Sequence, residues 1–444
     1  MCIRDRVYQK DYGEDEVLPD GKTVVSINFT GDNHGPHSYE RVKKIYADLR
    51  KRYPQAQLVG ASFNDVAREL LLIKKDLPVV TSEIGDTWIF GYGGAPIRMA
   101  KFRAVSRLYS QWLNEGKIKK DSDVALDFAA ELGLIAEHTQ GVDVKTHLRQ
   151  WDKYDMDKFL KGRSEGVFSM AEASWKEIDN YIDSAIAFLP ASLQKEAREV
   201  VAEVDKVKLE DNSKMKPMAR KRWEQPIAGG MTLAGLSYQM FDGDDYDDFQ
   251  NRYLRARYEW ALDDLGKRGL KESHAVSVTL YAQTMAQSVR KEKKGTRIIT
   301  ELRFPENEKV DKRVYPERIQ VNCFTTKNGK RSEVALTIYG KPAVRLPESY
   351  WLSFTVPGIE LVIAEKMGER VNLMDVVEKG NRQMHGIDRY VDLITSGETI
   401  RISSKEAFLL NVGEAQGLNY STNYPDKRKG VHVNLNNNLW GTNF

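Results

Sequence analysis

Hydrophobic residues in 7–150 come in short runs that alternate with amphipathic stretches. Three runs rich in β-branched residues predict strands: TVVSINFT (23–30), QLVGAS (57–62) and LPVVTSEIG (77–85). Helical periodicity follows each of them, and Ser38, Ser62 and Ser122 are the predicted N-caps. Strands that alternate with helices in this way predict a parallel α/β sheet or barrel, in which function lies in the loops beyond the carboxyl ends of the strands.

The pattern changes beyond residue 150. Apolar residues at heptad spacing over 168–209 predict an antiparallel helical hairpin within a small bundle. A polar linker leads into strand-like runs, among them RIQVNCF, EVALTIYG, YWLSFTV, IELVIAE and GVHVNLN, with one helical insert, DDYDDFQNRYLRARYEWALDDLGK. We therefore predict a multidomain α/β, α and β protein: an α/β part (7–150), a helical bundle (151–212) and a large antiparallel β-sandwich (213–444).

The first six residues, MCIRDR, resemble a translated sequencing-adapter end. We expect residues 1–6 to be an artefact and exclude them from the fold. The chain is then interpreted as a metagenomic fragment truncated at both ends, which leaves the compartment open, with periplasmic and secreted locations among those it allows.

Composition narrows the function little. The 67 basic and 64 acidic residues give a net charge of +3, and two cysteines provide neither a disulfide framework nor a CxxC metal motif. No run approaches the ~18 apolar residues of a membrane helix. The basic cluster in 290–294 is short and predicts a solvated loop, so we expect no nucleic-acid partner. The oligomeric state stays open.

Two loops in the α/β part carry candidate chemistry. TGDNHGPHS places Asp32 and His34 between glycines, although a turn without chemistry needs the same residue types. EIGDTWIFGYGG places Glu83 and Asp86 beside Trp88. Paired carboxylates can divide acid and base roles, and an indole can stack on a sugar, but a carboxylate here is equally typical of a helix cap or ion pair.

A third loop, AEHTQGVDVKTH, contains His138, Asp143, Lys145 and a second histidine. A catalytic zinc needs three protein ligands and an open position. No HxxxH or HExxH spacing occurs in the chain. Taken alone, His138 is more typical of a buried core histidine than of a metal ligand.

The order of these landmarks resembles the second half of the catalytic domain of glycoside hydrolase family 38, the α-mannosidases. The phrases LPVVTSEIGDTW, AEHTQGVDVKTHL, KPAVRLPESYWLSF, GNRQMHG and VHVNLNNNLWGTNF resemble, more closely, an uncharacterised relative catalogued as domain of unknown function 5054. This resemblance runs from about residue 24 to residue 444. It implies the second half of a (β/α) barrel-like domain of the glycoside hydrolase and deacetylase kind, then a helical bundle and a β-sandwich.

The resemblance also assigns roles. His138 is similar to the last zinc-ligating histidine of the mannosidase motif, although Glu137 and Thr139 replace its usual neighbours. Asp32 is similar to the loop aspartate that acts as general acid/base, although asparagine and histidine follow it where glycines are common. Substrate contacts would come from His34, Glu83, Asp86, Trp88, Asp143 and Lys145. The HxDxGW-type motif of the family, with two further ligands, does not occur before residue 23.

These points lead us to expect a zinc-dependent retaining glycoside hydrolase that acts on a glycan or oligosaccharide. The nucleophile and the other zinc ligands would lie outside this chain, which by itself would be inactive. Two alternatives stay open: a metal-dependent deacetylase on a related barrel, and a non-catalytic carbohydrate-binding or structural protein. His385 of GNRQMHG and the asparagine-rich 436–438 are further candidates without an assigned role.

Overall fold

The computed structural model describes residues 14–28, 30, 34–84, 88–136, 140–218, 224–254, 258–441 and 444. The chain divides into two compact units, unit 1 (Met1–Thr81) and unit 2 (Ser82–Phe444). It combines helices with antiparallel β-sheets, and its C-terminal half is β-rich. The described residues form no closed barrel.

Unit 1 contains a β-hairpin followed by two helices. Its elements are β1 (Glu14–Val17), β2 (Val24–Ile27), α1 (Tyr39–Arg52) and α2 (Phe63–Leu72). The predicted caps are confirmed, because the hydroxyls of Ser38 and Ser62 accept hydrogen bonds from backbone N–H groups in the first turns of α1 and α2. Neither helix buries a residue.

The strands predicted for unit 1 are only partly present. Residues 24–27 form a strand, but it pairs antiparallel with β1. The stretches 57–62 and 77–82 contain no strand. A parallel strand needs hydrogen-bonded neighbours, and the described part of unit 1 offers only β1 and β2, which pair with each other. Val79 and Val80 accordingly remain 86% and 68% exposed.

Unit 2 begins with a group of helices. They are α3 (Pro96–Asn114), α4 (Asp123–Gly133), α5 (Val144–His147), α6 (Met156–Ser164), α7 (Ser169–Ala187) and α8 (Ala191–Val204). The predicted pair of long helices is present as α7 and α8, and Ile182 and Leu193 from this pair share a core with Trp112 of α3 and Phe128 of α4. Across the described ranges, no helix is both long and apolar enough to span a membrane.

Three antiparallel sheets follow. The five-stranded sheet contains, in spatial order, β10 (Ser332–Tyr339), β9 (Arg318–Thr326), β8 (Gly295–Arg303), β7 (Gln283–Glu292) and β3 (Lys216–Pro217). The seven-stranded sheet contains β14 (Met384–Gly386), β17 (Leu409–Val412), β18 (Val431–Asn437), β11 (Glu348–Thr355), β5 (Thr232–Met240) and β4 (Gln225–Pro226), with β6 (Val278–Tyr281) paired to β5. The four-stranded sheet contains β13 (Glu369–Asn372), β12 (Leu361–Lys366), β15 (Tyr390–Ile394) and β16 (Thr399–Ser403).

The sheets enclose one apolar core. Leu302 from the five-stranded sheet, Leu352 from the seven-stranded sheet and Val391 from the four-stranded sheet belong to the same buried cluster. The predicted helical insert is also present, as α9 (Gly243–Tyr253) and α10 (Glu259–Asp264). The antiparallel, alternating β pattern predicted for this half of the chain is therefore confirmed.

Arg103 of α3 joins the helices of unit 2 to the sheets. Its guanidinium donates to the carbonyl oxygens of Ile387 at 3.1 Å, Ser404 at 3.0 Å and Lys405 at 3.2 Å, and also to that of Asp388. Burial lowers the pKa of Arg103, but an arginine stays protonated in proteins. Four carbonyl dipoles therefore stabilise a buried positive charge at this contact.

Candidate functional site

The first candidate loop, TGDNHGPHS, is only partly described. Asp32, the candidate general acid/base, lies outside the described residues. His34 is exposed to solvent, and Nε2 of His37 lies 3.2 Å from the carbonyl oxygen of Asn28. Ser38 caps α1 directly afterwards. The described end of this loop therefore has the geometry of a helix entry.

The second loop begins at Glu83, which is fixed by both its backbone and its side chain. The backbone N–H of Glu83 donates to the carbonyl oxygen of Asp375 at 2.8 Å, and its carbonyl accepts from Val377 at 2.8 Å, which forms an isolated parallel bridge. One carboxylate oxygen pairs with the ammonium of Lys366 on β12. The other lies 3.1 Å from Nδ1 of His385 on β14. Glu83 thus connects three segments of unit 2.

These partners keep Glu83 ionised. Burial raises the pKa of its carboxyl group, but the hydrogen bond and charge of His385 and the charge of Lys366 outweigh burial and lower that pKa to about 2. The side chain of Glu83 remains 19% exposed. A carboxylate has about four lone-pair sites, so two of them remain for further donors.

The imidazole of His385 lies between two acceptors. Nδ1 faces the Glu83 carboxylate, and Nε2 lies 3.2 Å from the carbonyl oxygen of Arg382. A neutral imidazole donates from one nitrogen only. Which of the two acceptors receives a ring proton therefore depends on the tautomer.

The GNRQMHG motif around His385 holds neighbouring loops together. The guanidinium of Arg382 donates to the carbonyl oxygens of Thr422 and Val376, both at 2.7 Å. The amide oxygen of Asn381 accepts from the backbone N–H groups of Gln383 and Ser421. The motif therefore has a structural role. Its histidine is positioned by the backbone carbonyl oxygen of Arg382, which contacts the imidazole.

Glycines in the rest of the second loop allow close packing. Residues Trp88–Gly94 form a 3-10 helix. A Cβ on Gly93 would lie 2.1 Å from Nδ2 of Asn437, and one on Gly91 would lie 2.7 Å from the ring of Trp440. The helix thus packs against the asparagine-rich end of β18. Asp86 and the side chain of Trp88 lie outside the described residues.

The third loop is anchored on α3 and α7. The amide oxygen of Gln140 accepts from Arg98 at 3.1 Å, its carbonyl accepts from the indole of Trp175 at 2.8 Å, and the backbone N–H of Val142 donates to Ser174 at 3.2 Å. His138 and its two neighbours lie outside the described residues, as does the side chain of Lys145.

Asp143 stands at the N-cap position of α5. Its carboxylate accepts from the hydroxyl of Thr146 at 2.6 Å, and the side chain is exposed. This contact lies within the first turn of the short helix. A contact to substrate at Asp143 stays a prediction.

Among the candidate residues predicted from the sequence, Glu83 lies in a defined cluster with His385 and Lys366. The sequence did not predict these two partners. The sequence singled out His385 without assigning it a role, and it offered no signal for Lys366. Among the residues that the structure describes, no group of three or more His, Cys, Asp or Glu side chains could hold a metal ion. His138, the ligand that the resemblance assigns to this chain, lies outside those residues, so the zinc site stays a prediction.

A family model provides one match. Residues 93–225 match the family described as Domain of unknown function (DUF5054). The matched region runs from the end of the glycine-rich 3-10 helix through α8 to the first residue of β4, so it includes the third loop and covers less than half of the chain. No curated protein and no solved structure is similar enough to this chain to give a match. The relationship to the α-mannosidases stays a prediction.

Proposed function

We propose that the intact protein is a zinc-dependent retaining glycoside hydrolase of the α-mannosidase type that acts on glycans. We propose further that the 444-residue chain is inactive by itself. Three observations support the proposal: the order of the three candidate loops, the match of residues 93–225 to an uncharacterised domain, and the ionised carboxylate of Glu83, which His385 and Lys366 contact.

Glu83 is the observation that carries this proposal. The resemblance assigns it to the sugar subsite, where a carboxylate must stay ionised and fixed in order to accept hydrogen bonds from sugar hydroxyls. Its pKa of about 2 keeps it ionised at any physiological pH. His385 and Lys366 hold it in one position, which lowers the entropic cost of binding a sugar.

The roles in this proposal follow the candidate residues. A carboxylate about 5–5.5 Å from Asp32 attacks the anomeric carbon while Asp32 protonates the oxygen of the leaving group, so that the glycosidic bond breaks. Asp32 then takes a proton from water, which attacks the anomeric carbon, breaks its bond to the carboxylate and releases the sugar. The remaining assigned positions contact the sugar: His34, Asp86, Trp88, Asp143 and Lys145. Zinc, with His138 as one ligand, would hold sugar hydroxyls when bound.

The proposed inactivity of the chain alone rests on the number of zinc ligands that it provides. The described residues contain no metal-holding group, and a catalytic zinc needs three protein ligands. Since His138 is the ligand that the resemblance assigns to this chain, we propose that the nucleophile and the remaining ligands lie outside these 444 residues.

A second candidate is a non-catalytic carbohydrate-binding or structural role. The observation that favours it is the β-rich C-terminal half, in which antiparallel sheets share a core. On this account glycan binding would survive alanine substitution of Asp32, Glu83 and His138, and no zinc would co-purify with the intact protein.

The test is hydrolysis of 4-nitrophenyl α-mannoside by the 444-residue chain and by the protein translated from the complete reading frame. We expect turnover only from the complete protein, with about one zinc per molecule in elemental analysis and loss of turnover with a chelator or with Asp32→Asn. The matched control is Glu308→Gln, an exposed carboxylate outside the candidate loops. Turnover by the 444-residue chain alone would overturn the proposal, as would a complete protein that hydrolyses no glycoside.

A further inference from the structure

Two hairpin tips lie side by side at one end of the five-stranded sheet. Lys293 and Lys294 form the turn between β7 and β8, and residues 327–330 form the turn between β9 and β10. The backbone N–H of Lys327 donates to the carbonyl oxygen of Lys294 at 3.1 Å. The two turns, which are far apart in sequence, thus form a single surface, called here the twin-hairpin surface (290–297 and 327–333).

The twin-hairpin surface is held rigidly. A Cβ on Gly295 would lie 2.2 Å from the carbonyl oxygen of Thr325, so glycine permits the two backbones to meet. In the second turn the hydroxyl of Thr326 accepts from the backbone of Arg331, and the amide oxygen of Asn328 accepts from that of Lys330. The lysines therefore project from a fixed backbone, which reduces the entropy lost on binding.

The surface concentrates positive charge. It carries two acidic side chains, Glu292 and Glu333, and eight basic ones: Arg290, Lys291, Lys293, Lys294, Arg297, Lys327, Lys330 and Arg331. The excess of six exceeds the net charge of +3 of the whole chain. Sequence alone shows each basic run as short, and the sheet brings the two together.

Among the described residues, the ion pairs within this surface involve its arginines and not its lysines. Glu292 pairs with Arg290 at 3.0 Å and with Arg297 at 2.7 Å, and Glu333 pairs with Arg331 at 2.8 Å. Within the described part of the chain, the five lysines of the surface have no acidic partner within 4.0 Å: Lys291, Lys293, Lys294, Lys327 and Lys330. All five are exposed, so their ammonium groups face the solvent and any ligand.

The surface also lacks apolar groups. Its two segments, RKEKKGTR and KNGKRSE, contain no aliphatic or aromatic residue, and the ring of Phe324 beside them is covered by Arg297 at 5.1 Å. Single-stranded nucleic acids are bound through base stacking on aromatic side chains, and amphipathic membrane contacts insert apolar ones. A partner for this surface must therefore be bound through anionic groups.

We propose that the twin-hairpin surface binds an anionic polysaccharide, in which carboxylate or sulfate groups contact the lysines. Thr296, the cross-strand neighbour of Lys291, and Asn328 belong to the same two segments, and the Thr296 hydroxyl and the Asn328 amide group suit sugar hydroxyls. Binding at this surface does not rest on the proposed hydrolase activity, since neither turnover nor the candidate loops take part in it.

The test is calorimetric titration of the 444-residue chain with heparin and with polygalacturonate at several salt concentrations. We expect binding that weakens with salt. Two double variants should each raise Kd by about tenfold or more: Lys293→Glu with Lys294→Glu, and separately Lys327→Glu with Lys330→Glu. The matched control is Lys119→Glu with Lys120→Glu, two consecutive exposed lysines in a turn elsewhere, which should change Kd less than about twofold.

Four outcomes would overturn the proposal. These are no binding to either polysaccharide, an equal loss in the control variant, loss from only one of the two hairpins, and equal or tighter binding to duplex DNA or to anionic phospholipid vesicles. Circular dichroism of each variant separates loss of binding from loss of fold.

Discussion

Nδ1 of His385 lies 3.1 Å from Oε2 of Glu83, although 302 positions separate the two residues in the chain. The contact joins the stretch that leads into the glycine-rich 3-10 helix to β14 of the seven-stranded sheet. Lys366 completes the cluster from the four-stranded sheet. A single carboxylate therefore ties a candidate loop to two sheets, and its removal has consequences for stability as well as for binding.

Glu83→Gln should destabilise unit 2. The substitution leaves the ammonium of Lys366 and the buried imidazole of His385 without their carboxylate, which we expect to cost about 2 kcal/mol of unfolding free energy at pH 7. The measurement is equilibrium denaturation. Glu308→Gln, which removes an exposed carboxylate, should change the free energy by less than about 0.5 kcal/mol. Equal stability of the two variants would contradict the role of the cluster.

The same contact predicts acid sensitivity at low pH. The pKa of Glu83 lies at about 2 in the fold, below its ordinary value of 4.5, so the unfolded state binds the proton first. The stabilisation is complete above pH 4.5 and is lost as pH falls toward 2, by at most about 3 kcal/mol. Denaturation curves across this range should differ between wild type and Glu83→Gln, and parallel curves would exclude the effect.

The buried His432 predicts a second loss of stability on acidification, in a pH range above that of Glu83. Burial lowers its pKa from 6.5 to about 4, and Nδ1 lies 2.8 Å from the hydroxyl of Ser353 on β11. The fold therefore requires the neutral ring, while the unfolded chain binds a proton below about 6.5. Stability should fall between pH 6.5 and pH 4 by up to about 3 kcal/mol. His432→Gln should remove this slope, whereas His34→Gln at an exposed position should keep it.

Gly93→Ala should disturb the contact between the 3-10 helix and β18. The new Cβ would lie 2.1 Å from Nδ2 of Asn437, whose side chain is fully buried, and overpacking of this kind costs about 3 kcal/mol. Gly133→Ala in α4, which meets nothing within 4 Å, should instead be neutral or stabilise by up to about 1 kcal/mol. Thermal unfolding of both variants tests the difference, and equal midpoints would refute the close packing.

Arg103→Ala should weaken the contact between α3 and the sheets. It removes the guanidinium donor of the Ile387, Asp388 and Ser404 carbonyl oxygens, whereas the Lys405 carbonyl oxygen keeps a bond from Arg107 at 2.8 Å. We expect this loss to cost about 3 kcal/mol. Arg103→Lys keeps the charge, but its single ammonium cannot reach all four acceptors, so it should recover only part of that loss. Full recovery by lysine would show that charge alone, without the planar guanidinium geometry, maintains the contact.

Local signals in the sequence predict much of this fold. The caps Ser38, Ser62 and Ser122 and the alternating strands of the C-terminal half depend on neighbouring residues, and the structure confirms them. The stretch 57–62 has strand composition but forms no strand, because ladder partners are non-local and composition does not supply them.

The contacts of the candidate site are also non-local, so the sequence predicted them only in part. Composition identified Glu83 as a carboxylate beside glycines and an indole, but not its partners. Lys366 and His385 reach it from distant strands, and no spacing in the sequence encodes that contact. The two basic hairpins are a further example, because sheet order brings them together.

The most direct test of the central claim is the anomer of the first product that the complete protein releases from an aryl α-mannoside, followed by proton NMR. The account predicts that α-mannose forms first and then equilibrates with the β anomer, because a retaining mechanism inverts the anomeric carbon twice. Initial formation of β-mannose, or no release of mannose by a folded, zinc-loaded protein, would contradict it.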